Sequence, residues 1–172
     1  VAHQIESRIL APMRLTQTSF PMTDRNMPAP YAHGYQLSDK KAWMDESSVL
    51  APSVSWAAGA MISDMSDMKK WVKAYVTGTT NSASSQKARL SCFPTGTGNL
   101  SFGLGIGCSA GWYGYTGGIT GYNTGAYYMT ATGITLVIFV NSQVERPFPG
   151  VANAIFRDIA KIVTPHNVPF VK

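Results

Sequence analysis

The run Gly114-Tyr115-Thr116-Gly117-Gly118, followed closely by Gly121-Tyr122-Asn123, holds the residue types best suited to chemistry. Paired glycines beside a threonine on a strand let a ligand's backbone lie against a sheet edge, with the hydroxyl and a main-chain N–H directed at it. Two such donors bind a carboxylate or complete an oxyanion hole. The same letters also describe a glycine-rich hairpin in a plain β-meander, and the residues alone leave both readings open.

Other reactive side chains are sparse. His3 and His166 stand near the chain ends and read as solvated, and His33 reads as a structural loop histidine. With the histidines far apart and the two cysteines outside any metal-ligand spacing, neither a metal site nor a cofactor is expected. Cys92 and Cys108 are either two buried thiols or one disulfide closing a short loop. A bridge would add roughly 3 kcal/mol and would point to an oxidising compartment.

Elements must hold these residues in place. Val1, Ile5, Ile9 and Leu10 make a helical stripe that stops near Pro12. Thr16 to Ser55 has little periodicity and reads as a long functional loop over the site. Ser63 is expected to cap a helix carrying Met65, Met68, Trp71, Val72, Tyr75 and Val76, ended by Gly78, with a shorter helix over Ser85–Leu90. Strands are expected over Ser101–Cys108, Trp112–Thr116, Tyr122–Thr130 and Ile134–Val140, with a tight turn at Ala131-Thr132-Gly133. The last strand is apolar on both faces, so helices must cover both. Val151, Ile155, Ile159 and Ile162 mark a terminal helix for one of them. The expected fold class is α/β of the α+β type, an antiparallel sheet of at least three strands with helices on both faces.

Composition narrows the class. The chain has 172 residues, 45% apolar and 13% charged, which suits one domain and neither disorder nor a membrane span. The longest strongly apolar run, Ile134–Val140, is far too short to cross a bilayer. The net charge of +5 comes from scattered residues, with no basic stripe of the kind nucleic-acid binding needs. Residue 1 is Val, which implies that the natural start lies upstream.

The order of motifs is more specific than any one of them. Leu10-Ala11-Pro12-Met13, Tyr31-Ala32-His33-Gly34-Tyr35, Ala57-Ala58-Gly59-Ala60-Met61-Ile62-Ser63, the Met/Trp helix, Tyr-Thr-Gly-Gly, Val140-Asn141-Ser142 and a final helix succeed one another. Over nearly the whole chain this series resembles the C-terminal half of the serine β-lactamase-like superfamily: class C β-lactamases, penicillin-binding DD-peptidases, D-aminopeptidases and related esterases. The resemblance implies that residues 1–172 are one C-terminal portion of a β-lactamase/transpeptidase-like fold. The expected activity is serine hydrolysis through an acyl-enzyme, with an amide, ester or lactam as substrate.

The family's Ser-x-x-Lys turn and Tyr-x-Asn motif are expected in an absent N-terminal half or second chain. The strings Ser38/Lys41, Ser66/Lys69 and Ser84/Lys87 read as chance matches. The resemblance implies that Thr116, with Gly117 beside it, binds the substrate carboxylate or the carbonyl side of the acyl group and that the Gly118 N–H is the second oxyanion donor. Tyr115 departs from the family's Lys or His, bringing no positive charge, and so favours a peptidase, amidase or esterase. Tyr35 matches a tyrosine lining the acyl side-chain pocket or is a structural packing residue, and Asn141 either contacts ligand or caps its strand. Partners implied are a carboxylate-bearing peptide or β-lactam, the missing half, and no nucleic acid or membrane span. The implied location is secreted or periplasmic. Two readings stay beside this one: a penicillin- or peptidoglycan-binding module without turnover, and a fragment inactive until joined to its other half.

Overall fold

The computed structural model describes residues 1–144 and 150–170. The N-terminal stripe folds as α1 (Ala2–Ile5), a π turn (Glu6–Leu10) and α2 (Ala11–Met13), which Arg14 ends at a positive φ of 51°. After it come β1 (Tyr35–Leu37), β2 (Trp43–Asp45) and a 3-10 stretch (Pro52–Ala58). Two helices follow, α3 (Met65–Thr77) and α4 (Ala83–Leu90). The strands β3 (Phe93–Pro94), β4 (Leu100–Phe102), β5 (Gly107–Ser109), β6 (Trp112–Ile119), β7 (Tyr122–Met129), β8 (Thr135–Val140) and β9 (Ser142–Gln143) lead to α5 (Val151–Val163).

Strands β3 to β8 form one six-stranded antiparallel sheet in chain order, and a small second sheet runs β2-β1-β9. The doubly apolar β8 is covered on both faces as its composition requires, since α3 and α5 each pack on β7 and β8. On the α5 side lie Trp112, Tyr127, Met129 and Phe156, with the Tyr127 and Phe156 rings parallel at 4.2 Å. On the α3 side, Val72 and Val76 meet Ile106, Cys108 and Tyr128. Each fully buried side chain of this size contributes about 1.5–3 kcal/mol, so these two layers dominate the stability of the sheet.

Three local expectations are corrected. The expected strand Ser101–Cys108 is two strands, β4 and β5, joined by a turn. Gly103 presses on α4 so closely that a Cβ would lie 2.0 Å from the Arg89 carbonyl, and Gly105 sits at φ +68°, so the chain folds back there. The cap of α3 is Asp64, whose carboxylate accepts from the Asp67 N–H at 2.8 Å, while the Ser63 hydroxyl bonds to Thr18. The long loop is partly ordered as the β1–β2 hairpin, whose three-residue strands are too short to show alternation in sequence. Its β1 pairs in parallel with β9, fastening the hairpin beside the end of β8.

Candidate functional site

The β6 strand is paired unequally along its two sides. Against β7 it pairs over its full length, Trp112–Ile119, but against β5 only from Trp112 to Gly114. From Tyr115 onward its second side is therefore an open edge. Two-residue turns at Ala110-Gly111 and Thr120-Gly121 make Ser109/Trp112 and Ile119/Tyr122 hydrogen-bonded pairs. The pairing of Met129 N–H with the Ile134 carbonyl at 2.9 Å fixes the same alternation through β7. Bonded and non-bonded sides alternate along an antiparallel strand, so Tyr115 and Gly117 bond to β7, and the N–H groups of Thr116 and Gly118 face the open edge.

Side chains around this edge have definite partners. Tyr115 is half exposed, and its ring leans on Phe102 at 5.9 Å between centroids. The Thr116 hydroxyl donates to the Thr124 carbonyl on β7 at 2.7 Å, so its proton is turned towards the sheet. Its lone pairs remain available, and donation to an anion requires rotation of the hydroxyl. Gly117 and Gly118 keep the strand bare where a ligand backbone would approach.

Tyr35 and Asn141 come together elsewhere. With Trp43 and Ser142 they line an open cleft of about 410 Å³ at the junction of β1 and β9. Asn141 lies between β8 and β9, and its amide donates to the His33 carbonyl at 2.9 Å. The Tyr35 N–H is shared between the carbonyls of Gly121, 3.2 Å, and Asn141, 3.0 Å. The Gly121 turn, which closes the β6–β7 hairpin, is thus the link between cleft and open edge.

Cys92 and Cys108 are joined as a disulfide, tying the start of β3 to β5 beside the edge. None of the three Ser-x-x-Lys strings brings hydroxyl and ammonium into hydrogen-bond contact. Ser66/Lys69 and Ser84/Lys87 lie exposed on α3 and α4, and Ser38 accepts from the Ala42 N–H in the hairpin turn. Among the described residues no group of acidic, histidine and cysteine side chains is placed to hold a metal.

Sequence reasoning missed a polar network under the cleft. His33 Nδ1 bonds to Asp45 Oδ2 at 2.6 Å, and the other Asp45 oxygen accepts from the Ser47 N–H and hydroxyl. Those Ser47 bonds, then the histidine, hold the Asp45 carboxyl down at about 2. The Ser47 hydroxyl in turn accepts from the buried Gly34 N–H. The only signal in the sequence was Trp43-Met44-Asp45 itself, one aromatic and one acid on one face of a short strand.

Comparison with known proteins follows the same outline. A family model described as Beta-lactamase matches residues 1–160. A D-stereospecific amidohydrolase from a Streptomyces species is 29% identical, with a TM-score of 0.72 over 82% of this chain and 44% of that one. The D-amino acid amidase from Ochrobactrum anthropi SV3 superposes at 0.79 with 19% identity, over 95% of this chain and 52% of that one. The octameric penicillin-binding protein homologue from Pyrococcus abyssi gives 0.75 at 17%, over 98% and 39%. The chain therefore spans about half the length of these proteins, and at the lower identities the likeness is one of fold. With a family model matching residues 1–160, nearly its whole length, the chain belongs to the Beta-lactamase family.

Proposed function

We propose that this chain is the C-terminal portion of a serine hydrolase that works through an acyl-enzyme on amide, ester or lactam carbonyls. The observation that carries the reading is the open edge of β6, where the main-chain N–H groups of Thr116 and Gly118 face the same side with glycine at 117 and 118. A serine supplied by the other part of the protein adds to the substrate carbonyl, and the carbonyl oxygen becomes an oxyanion. The Gly118 N–H donates to it, a contact worth about 10²–10³ in rate. The intermediate then collapses, the C–N or C–O bond breaks, and the leaving group takes a proton. Water later releases the acyl group by the same path.

Thr116, its hydroxyl rotated from Thr124, and the Thr116 N–H hold the substrate carboxylate. Tyr35 and Asn141 line the acyl pocket. Tyr115 can donate one hydrogen bond but brings no ammonium, which favours amide and ester substrates over efficient β-lactam hydrolysis. The disulfide supports a secreted or periplasmic site of action. Labelling with a fluorescent penicillin tests the reading. The 172-residue chain alone should not label, and addition of its N-terminal half should restore an adduct that turns over. A permanent adduct would instead make it a binding module, and no adduct in either form would overturn acyl transfer.

A further inference from the structure

The aromatic rings beside the open edge of β6 form a surface that oxyanion binding does not require. Tyr115, where the edge begins, is half exposed and leans on the exposed Phe102 of β4 at 5.9 Å between centroids. Phe102 lies across Gly107, where a Cβ would stand 3.5 Å from its Cε1, and Gly107 pairs with Gly114 at the end of the β5–β6 ladder. Phe93 of β3 is paired directly opposite Phe102 and is 73% exposed, and Leu104, in the turn from β4 to β5, is 68% exposed. Directly opposed residues on one face stand about 4.5–5.5 Å apart at Cβ, so Phe93 continues the surface that Phe102 begins. Exposed apolar side chains are ordinary when single, whereas a contiguous group of them marks a binding surface.

The surface is also held in place from below. The Tyr75 hydroxyl of α3 donates to the Gly105 carbonyl, the Leu104 N–H donates to the Arg89 carbonyl at 3.1 Å, and the Cys92–Cys108 disulfide ties the residue before Phe93 to β5. The Arg89 guanidinium is committed to α3, lying 4.6 Å from the Tyr75 ring centroid and donating to the Tyr75 carbonyl. What the rings offer a ligand is therefore apolar area rather than charge. Residues of a strand rise about 3.4 Å each, so the Thr116 amide stands about 7 Å along β6 from Gly114, within reach of an aromatic side chain. We propose that the leaving part of the substrate carries a large apolar or aromatic side chain, which lies on Tyr115, Phe102 and Phe93 while its carboxylate is held at Thr116. The preferred substrates are then peptides or depsipeptides that end in a bulky residue rather than a small one. This deepens the acyl-transfer reading and rests on it for the order of groups along β6, with the scissile carbonyl at Gly118, the carboxylate at Thr116 and the side chain beyond.

The test gives the assembled enzyme two depsipeptides, N-benzoylglycyl-lactate and N-benzoylglycyl-phenyllactate, which differ by one phenyl ring on the leaving hydroxy acid. In each, the serine oxygen bonds to the glycyl carbonyl carbon, the ester C–O bond breaks, and the serine proton passes to the hydroxyl of the leaving acid. Both give the same acyl-enzyme, so the ratio of their kcat/KM values reads acylation alone, and partial loss of folded enzyme leaves it unchanged. Phenyllactate should be favoured about tenfold, the size expected of one added apolar group on an open site. Phe102→Ala should bring the ratio below about threefold, and Phe93→Ala, at the more exposed ring, should lower it less and leave the lactate rate as it was. Equal rates, a preference for lactate, turnover of neither depsipeptide, or a preference that survives both substitutions would overturn the proposal. So would protection of Phe93 and Phe102 from hydroxyl-radical oxidation when the N-terminal half is added, since that half would then cover the rings. Penicillin labelling reads the serine chemistry separately: labelling without a phenyllactate preference sinks only this inference, and neither labelling nor turnover sinks acyl transfer itself.

Discussion

Gly34 and Gly121 pack main chain against main chain: a Cβ on Gly121 would lie 2.9 Å from the Gly34 Cα and 2.8 Å from its carbonyl carbon. Gly121 also sits at φ +81°. Gly121→Ala therefore meets both left-handed strain, about 1–2 kcal/mol, and a backbone clash, and should cost about 2–4 kcal/mol in urea unfolding. Gly133 has a similar φ of +74° but only the Tyr128 hydroxyl at 3.9 Å near its missing Cβ, so Gly133→Ala should show the strain alone. Equal losses at the two sites would refute the close approach.

Gly118 separates main-chain chemistry from side-chain bulk. Gly118→Ala keeps the N–H and brings its Cβ to 3.4 Å from Asn123 Nδ2, so acylation by penicillin in the assembled enzyme should stay within a few-fold. Gly118→Pro removes an outward N–H that no ladder bond uses and should slow acylation by about 10²–10³, while an unchanged urea midpoint separates that loss from damage by the added ring. Retained activity in the Pro variant would remove this amide from the oxyanion site.

Asp67 fastens the chain after α2 to α3. Its buried carboxylate accepts from the Gln17 N–H at 2.8 Å, the Thr18 hydroxyl at 3.0 Å and Lys70 at 3.1 Å. Burial alone would raise its pKa, but the Gln17, Lys70 and Thr18 bonds outweigh that and lower it. Asp67→Ala strands those donors and should cost about 2–4 kcal/mol in thermal or urea melts. Lys70→Ala, at an exposed partner, should cost under about 1 kcal/mol.

Acid should release the β1–β2 hairpin before the main sheet. Asp45 is lowered from 3.8 to about 2, so its contribution is complete above the unfolded value and fades as pH falls through 4 towards 2. Amide exchange at Ser47 and Gly34 should rise over that interval in wild type. In Asp45→Asn it should already be fast at neutral pH and flat below it.

Replacing Cys92 and Cys108 together by alanine frees the segment that crosses from α4 to β5. For a separation of 16 residues the loss should be roughly 3 kcal/mol, seen as a lower urea midpoint. A reducing agent should lower the parent protein's midpoint by the same amount and leave the double variant unchanged.

Helix α3 and the hairpin strands β6 to β8 were legible because long elements carry a long period, as Val72 with Val76 shows. Helix α5 was legible as a helix but not by its face: the expected stripe of Val151, Ile155, Ile159 and Ile162 leaves Ile155 and Ile162 exposed, while Ala152, Phe156 and Ala160 are buried. The run at 114–118 was readable as a strand but left a bare edge and a plain hairpin both open, since glycine there also has packing uses: a Cβ on Gly114 would lie 2.0 Å from the Ala126 carbonyl oxygen and one on Gly117 2.9 Å from the Thr124 hydroxyl. What the pattern could not show was where β6 loses its neighbour, since that depends on the chain turning away before Gly107, where the Leu104 N–H bonds to the Arg89 carbonyl at 3.1 Å. The β1–β2 hairpin was missed for the opposite reason. Three residues per strand give one repeat of alternation, and its order comes from Gly34 against Gly121, a contact made across 87 residues by two side chains that do not exist.

The two-residue turns on either side of β6 have a genetic consequence. Which amides look out from 116 and 118 is a matter of odd and even counting from those turns. Because pairing with β5 through Gly114 already fixes the phase of β6, a one-codon insertion at Thr120-Gly121 would leave those amides facing out and instead set β7 out of step with them, with every side chain chemically intact. Turn length at 110–111 and 120–121 is therefore as much a part of the site as its side chains, and insertions there should be tolerated far less than substitutions.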